Sequence, residues 1–267
     1  MIKFSIEFYI NIYKIKEILN FNISMVCLKP FFLTITYNKF NINKKVINYL
    51  IKNGLKVSPH IICKKKIRNF NYLLNSYFLI NLKNLMIIKG DNSKNNYYYS
   101  YNILNLIKKN YINKFNVFLG DYAESHPNSL NFLSNIKNNK IKNIVKKNIN
   151  FISQYFYNIE SYYNFYDSLK KINYKIKLIP GIMFINDFYK IISFSNICKT
   201  ELPLWIIKKI NNNKFYKKEY KKINKEIILN LILKLLNFKV KILHFYSMNN
   251  LYLVNIICES LNNNLNL

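Results

Sequence analysis

Short apolar runs punctuate this chain at near-regular intervals, and longer polar stretches separate them. Eight runs stand out: Lys3–Phe8, Phe31–Thr36, Lys56–Ile61, Asn84–Lys89, Phe115–Asp121, Asn150–Gln154, Tyr174–Pro180 and Val240–Tyr246. They are rich in β-branched or aromatic residues and bounded by polar ones, as strands buried on both faces of a parallel sheet are. Between them apolar residues recur at i, i+3 and i+4, as in Val46, Tyr49, Leu50 and in Phe132, Leu133, Ile136, which predicts helices. Eight strands alternating with helices predict an α/β fold, a (β/α)8 TIM barrel, in a single domain over residues 1–267. A doubly wound sheet also alternates, but no GxGxxG follows the first strand, which disfavours a dinucleotide-binding half. The segment between strands seven and eight is the longest. It predicts more than one helix, with Pro203 near the first turn of the second.

Composition narrows the class. The chain is 51% hydrophobic, too apolar for disorder. It has only 4 Gly and 5 Pro, too few for a turn-rich β-sandwich. No apolar run reaches the ~18 residues of a membrane-spanning helix, so no membrane association is expected. Lys3 and Glu7 interrupt the N-terminal apolar stretch, which argues against a signal peptide. Cys27, Cys63, Cys198 and Cys258 are isolated and the three histidines are far apart. No metal site is expected, and the cysteines suit a reducing, cytoplasmic location.

The charge changes the picture less than its size suggests. There are 41 Lys+Arg against 12 Asp+Glu, a net +29. Read alone, that points to nucleic acid. Yet Asn, Lys, Ile, Tyr and Phe are inflated together, Ala, Gly and Pro are scarce, and Arg68 is the single arginine. An AT-biased genome produces that combination, whereas no one ligand demands it. The lysines are scattered along the chain, so no specific nucleic-acid partner is expected. The basic run Lys208–Lys225 reads as a solvated helix–loop surface.

Under such drift the rare residues carry the information, and they gather at strand ends. Glu7 sits late in strand one, Thr36 and Tyr37 end strand two, and His60 ends strand three. Gly90 and Asp91 follow strand four; Tyr122, Glu124 and His126 follow strand five. Gln154 ends strand six, and Pro180 and Gly181 end strand seven. In a (β/α)8 barrel these ends form the catalytic face, so an active site is the simplest reading. Each residue alone also has a plain role. Gly90-Asp91 fits a turn, His60 and His126 fit satisfied structural histidines, and Gln154 fits a helix cap. His244, inside strand eight, reads as structural. Glu7 favours function, because an unpaired carboxylate in an apolar strand is costly.

At this point the chain resembles the methylenetetrahydrofolate reductase family from about Phe4 to Leu261. The resemblance is carried by FSIEFY (4–9), LKPFFLTITY (28–37), PHIIC (59–63), KGD (89–91), GDYAESHPN (120–128), FISQYFYNIESY (151–162), LIPGIMFINDFYKIISFSNICKTELPLW (178–205) and HFYSMN (244–249). It implies a flavoprotein in which NADH or NADPH reduces FAD. The flavin then reduces 5,10-methylenetetrahydrofolate to 5-methyltetrahydrofolate, in one-carbon metabolism and methionine supply. Glu7 matches the general acid that helps open the folate ring to an iminium, and burial is expected to raise its pKa. Asp91 matches a carboxylate near flavin and pterin, with a catalytic role. Gln154 matches the pterin-binding amide, and Phe194 an aromatic that stacks on folate or nicotinamide. Thr36 with neighbouring Tyr37, His60, Lys89, Gly90, Asp91, Tyr122 and His126 match FAD-contacting positions. The resemblance further implies a homo-oligomer.

The departures from the pattern are specific. Lys89 stands where Arg is frequent, and Ile10 and Ala123 replace prolines. Asn143 falls where a flavin-contacting Lys is common, with Lys142 or Lys146 beside it as substitutes. Asn250 replaces an Arg for the folate tail, and Lys190 a substrate-contacting Gln. Two other readings stay open at this level: a basic RNA-binding protein, and an inactive flavin-binding relic.

Overall fold

The computed structural model describes residues 2–9, 30–36, 40–63, 70–88, 114–124, 149–172, 175–185 and 187–265. In chain order the described elements are β1 (Lys3–Tyr9), β2 (Phe32–Thr36), α1 (Phe40–Lys52), β3 (Val57–Ile62), α2 (Phe70–Leu79), β4 (Asn84–Ile88), β5 (Asn116–Asp121), β6 (Ile149–Tyr155), α3 (Ile159–Ile172), β7 (Lys177–Met183), α4 (Phe188–Cys198), α5 (Leu204–Asn213), α6 (Lys217–Asn237), β8 (Ile242–Tyr246) and α7 (Leu251–Leu265). The strands close into a barrel in sequence order, β1 through β8, every neighbouring pair parallel. All eight expected strands are present. The helix expected around Val46 is α1; the one around Phe132 lies outside the described residues.

Alternation along each strand divides the apolar residues into two cores. Outward residues such as Phe4, Ile6 and Phe8 of β1 and Leu33 and Ile35 of β2 join one continuous core beneath the helices. Phe32, Met86, Phe118, Ile152 and Ile179 form a separate cluster. The rings of Phe32 and Phe118 stack with centroids 4.7 Å apart although β2 and β5 are not neighbours. Only the barrel interior allows that contact, so these five side chains plug the barrel. The other interior side chains include Ser5, Thr34, Ser58, His60 and His244, all buried and all polar.

Most strand boundaries shift by a residue or two from the expected ones, and those of β3 and β7 bear on the site. β3 continues two residues past His60, so His60 projects from within the strand. β7 starts at Lys177 and runs to Met183, which places Pro180 and Gly181 inside it. The reason lies opposite, in β6. Ile152 pairs with Ile179 but Tyr155 pairs with Gly181, so β6 carries one extra residue at a bulge. The ladder is already interrupted there, and the missing N–H of Pro180 costs little. The segment before β8 holds three helices, with Pro203 at the N-cap of α5. Asp187 caps α4 by accepting the Lys190 backbone N–H at 2.8 Å. None of the described helices is long and apolar enough to cross a membrane.

Candidate active site

β1 carries Glu7 to the C-terminal end of the barrel, pointing inward. Thr36, at the end of β2, donates its hydroxyl to Glu7 Oε1 at 2.8 Å. The same hydroxyl oxygen lies 3.2 Å from His60 Nδ1. His60 Nε2 and His244 Nε2 stand 4.0 and 3.9 Å from Glu7 Oε2. Behind His244, its Nδ1 is 2.8 Å from Ser5 Oγ, which also reaches the Leu243 carbonyl at 3.4 Å. Four strands therefore converge on one carboxyl group: β1, β2, β3 and β8.

The hydrogen-bond directions restrict where protons sit. A hydroxyl has one proton. If Thr36 donates it to Glu7, the Thr36 oxygen accepts from His60 Nδ1–H. If Ser5 donates to Leu243, it accepts from His244 Nδ1–H. Each neutral imidazole then turns a bare Nε2 toward Glu7 Oε2. These two Nε2 atoms are buried and have no hydrogen-bond partner in the described structure. Two bare ring nitrogens thus stand within about 4 Å of the same carboxylate oxygen. A hydrogen-bond donor reaching these atoms would relieve the arrangement.

The electrostatics correct one expectation. Burial does push the Glu7 carboxyl up, but the two imidazoles and the Thr36 hydroxyl outweigh it and hold Glu7 down at about 2. The expected net upward shift is absent because the sequence did not reveal that two histidines flank this residue. His60 is pushed below its ordinary value, first by burial, against the pull of Glu7. His244, read from sequence as structural, is fully buried and belongs to the cluster.

The strand ends around Glu7 are tied down. The Ser247 hydroxyl donates to the Glu7 carbonyl at 2.7 Å. The Asn249 side chain clamps Tyr9, accepting its N–H at 2.9 Å and donating to its carbonyl at 2.8 Å. Met248 and Asn249 adopt φ of 50° and 59°, the left-handed turn that brings this amide back to β1. Asn250, one residue on, accepts the Leu253 N–H at 3.2 Å and caps α7. A capping role explains an asparagine here better than a missing anion contact does.

Gln154 sits on the β6 bulge, partly exposed, with Oε1 accepting the Tyr155 N–H at 3.1 Å. Its amide nitrogen remains a donor. The bulge is held by Tyr246, whose phenol donates to the Ser153 carbonyl at 2.9 Å, and by Ser153 Oγ, which accepts the Gly181 N–H at 2.9 Å. Burial pushes the Tyr246 phenol well above its ordinary value, and nearby Glu7, Cys198, Tyr122 and Tyr155 add to it. Tyr122 therefore lies on the same rim as Glu7. Its N–H donates to Asp121 Oδ1 at 2.8 Å. Glu124 reaches across the rim, accepting the Glu201 N–H at 2.7 Å; burial pushes its carboxyl up to about 7.

Of the expected site residues, Glu7, Thr36 and His60 form one cluster, and Gln154 and Tyr122 lie on the same end of the barrel. Phe194 is half-buried on α4 against the outer core. Tyr37, Lys89, Gly90, Asp91, His126 and Lys142 lie outside the described residues. His244, Ser5 and Asn249 were missed by sequence reasoning. The signal was their spacing: Ser5 is two residues from Glu7 on the same face, and His244 pairs with Ser5 across β1 and β8. Among the described residues no group of three His, Cys, Asp or Glu is arranged to hold a metal ion.

The fold and this mouth define a (β/α)8 barrel with a carboxyl group flanked by two imidazoles at the C-terminal end of its strands. Comparison with known proteins narrows that class. Residues 4–262 match the family model for methylenetetrahydrofolate reductase. Two relatives from Buchnera aphidicola are named 5,10-methylenetetrahydrofolate reductase. One, from subsp. Schizaphis graminum, is 29% identical over 91% of this chain and 86% of its own. The other, from subsp. Acyrthosiphon pisum, is 30% identical over 88% of this chain and 82% of its own. The chain belongs to the methylenetetrahydrofolate reductase family. A solved protein from Clostridium thermocellum, which binds two copies of 5-methyl-5,6,7,8-tetrahydrofolic acid, shares the barrel at TM-score 0.51 and 17% identity, over 91% of this chain and 87% of its own.

Proposed function

We propose that this protein reduces 5,10-methylenetetrahydrofolate to 5-methyltetrahydrofolate, with FAD as resident cofactor and NADH or NADPH as reductant. Cytoplasmic one-carbon metabolism, methionine supply and a homo-oligomer belong to the same reading. The observation that carries it is the Glu7–His60–His244 cluster beneath the mouth of a barrel of this family.

The described residues fit planar, polar ring systems. His60 Nε2 and His244 Nε2 are buried and unpartnered, and the amide nitrogen of Gln154 is free of the Tyr155 contact. FAD, when bound, supplies the hydride chemistry. Thr36, His60 and Tyr122, with Tyr37, Lys89, Gly90, Asp91, His126 and Lys142, would hold it. Gln154, Phe194 and Asp91 would orient the pterin, with Asp91 also stabilising positive charge on the folate.

The chain's own part is the proton. Glu7 is held ionised in the described structure and His60 is pushed toward its neutral form, so the carboxyl must take up a proton before it can protonate a folate nitrogen. Glu7 is 25% exposed toward the mouth. Rings stacked over it would remove that water, which raises its proton affinity and favours uptake of a proton by the carboxyl. Thr36 keeps the carboxyl oriented while this happens. A pKa near 2 without ligands and an acid role with them are consistent on this account.

The test is a visible spectrum after FAD reconstitution, then anaerobic NADH, then methylenetetrahydrofolate. Flavin bands should bleach and return. Protein that takes up no FAD would refute the reading, and bands that bleach but do not return would leave only the flavin-binding relic.

A further inference from the structure

The opposite end of the barrel holds a cavity of about 550 Å³ that the reductase reading does not use. It opens at the N-terminal ends of the strands and is closed above by the apolar plug, Phe118 and Ile179 forming part of its floor. Its size lies within the ~300–1,000 Å³ common for small-molecule sites.

The rim is basic in a way that chain order conceals. Lys3 and Lys177 are the first residues of β1 and β7, and Lys56, Lys83 and Lys241 directly precede β3, β4 and β8. Closing the barrel brings these five exposed lysines around one opening. Lys56, Lys83 and Lys177 line the cavity itself, and no carboxylate does so among the described residues. The ammonium groups of Lys3 and Lys56 both lie over the Phe31 ring, 5.0 and 5.3 Å from its centroid. Two cations held on one ring at the edge of an apolar pocket mark a place where an anionic aromatic ligand is favoured.

Between floor and rim lies an amide layer. Asn116 Nδ2 donates to Asn84 Oδ1 at 3.0 Å, and Asn150 follows on β6. Carboxamides offer donors and acceptors together, which suits the edge of a heterocyclic base. Apolar floor, amide wall and ammonium rim thus match three parts of one molecule. A bare anion would leave the floor unused. A nucleic-acid strand needs a track several nucleotides long, whereas these lysines ring a single opening.

We propose that this mouth binds a nucleoside polyphosphate, its planar base between Phe31 and the Phe118–Ile179 floor and its phosphates among Lys56, Lys83 and Lys177. The site is separated from the Glu7 cluster by the plug, so it can be occupied together with the catalytic mouth. It does not depend on the reductase reading.

The experiment is calorimetric titration of the full-length protein with ATP, with and without saturating FAD. Saturable one-to-one binding that leaves flavin absorbance unchanged is expected. The double variant Lys83→Gln/Lys177→Gln should weaken ATP about tenfold, from two exposed charge contacts. The control Lys208→Gln/Lys218→Gln, on exposed lysines of α5 and α6, should stay within about twofold. Several outcomes overturn the proposal. They are no saturable binding at millimolar ATP, release of FAD by ATP, equal loss in the control variant, inorganic triphosphate binding as tightly as ATP, or oligouridylate displacing ATP at lower concentration. Failure of the protein to bind FAD would overturn the reductase reading and leave the ATP titration readable.

Discussion

Gly181 has less room for a side chain than Gly54 or Gly120, and Gly181→Ala measures how tightly the β6 bulge is held. A Cβ there would overlap the Ser153 carbonyl oxygen and come within 2.5 Å of Tyr246 Cε2. Neither neighbour can step aside cheaply. Ser153 is backbone in the bulge, and the Tyr246 ring is pinned by its own hydrogen bond to that same carbonyl at 2.9 Å. Forcing a methyl into a packed interior costs about 1–3 kcal/mol. Breaking the Tyr246 hydrogen bond adds about 0.5–1.5 kcal/mol. The variant should therefore lose about 2–4 kcal/mol, a large share of the ~5–15 kcal/mol typical of a domain. Urea unfolding at constant m-value reads this directly, and Tm should fall by roughly 4–16 °C. Tyr246→Phe separates the two contributions, because it keeps the ring and removes only the hydrogen bond; it should cost about 0.5–1.5 kcal/mol. Gln154 rides on the same bulge, so reoxidation by folate should suffer more than flavin reduction by NADH. A loss under ~0.5 kcal/mol in Gly181→Ala would mean that β6 yields freely. The account of how Gln154 is positioned would then be wrong.

Four further outcomes follow from the geometry. Glu7→Gln should slow the folate half-reaction by about 10²–10⁴-fold while NADH still bleaches the flavin; equal loss in both half-reactions, read by stopped flow, would contradict the proton role. The same variant should flatten the acid limb of stability. Glu7 is depressed in the fold, so its contribution is present above the unfolded carboxyl value and is lost as pH falls from about 4.5 toward 2. Glu124 has the opposite sign. Its folded value is raised to about 7, so its penalty is full above pH 7 and is relieved as pH falls toward 4.5. Glu124→Gln, which can still accept the Glu201 N–H, should remove that relief and gain about 1–2 kcal/mol at pH 8; an unchanged stability–pH curve by chemical denaturation would refute it. Asp187→Ala removes the cap on α4 and should cost about 0.5–2 kcal/mol in urea unfolding, with Asp187→Asn nearly neutral.

Which features were legible follows from how local their causes are. The strands could be read because a strand buried on both faces must be apolar along its length, and that pattern needs no partner to be visible. Pro203 marked the start of α5 for an equally local reason, its fixed φ. Glu7 stood out because a carboxylate inside such a run conflicts with its surroundings. His244 met the same test but was set aside, since inward and outward positions on β8 cannot be told apart until the register with β1 is known. The bulge that carries Gln154 was invisible, because an extra residue exists only relative to the strand opposite.

The chain by itself determined the alternation of eight strands and their helices, and hence the barrel, because hydrophobic period and length are properties of single segments. It also placed Glu7 and Thr36 late in their strands, where the structure has them. Tertiary structure decided what those residues are to one another. The downward pull on Glu7 depends on two imidazoles more than 50 and more than 230 positions away, brought to about 4 Å by barrel closure. Closure likewise turns lysines that are scattered in sequence into a ring around the opposite mouth. Charge interactions depend on distance in space, and a linear sequence does not contain that distance until the first strand meets the last.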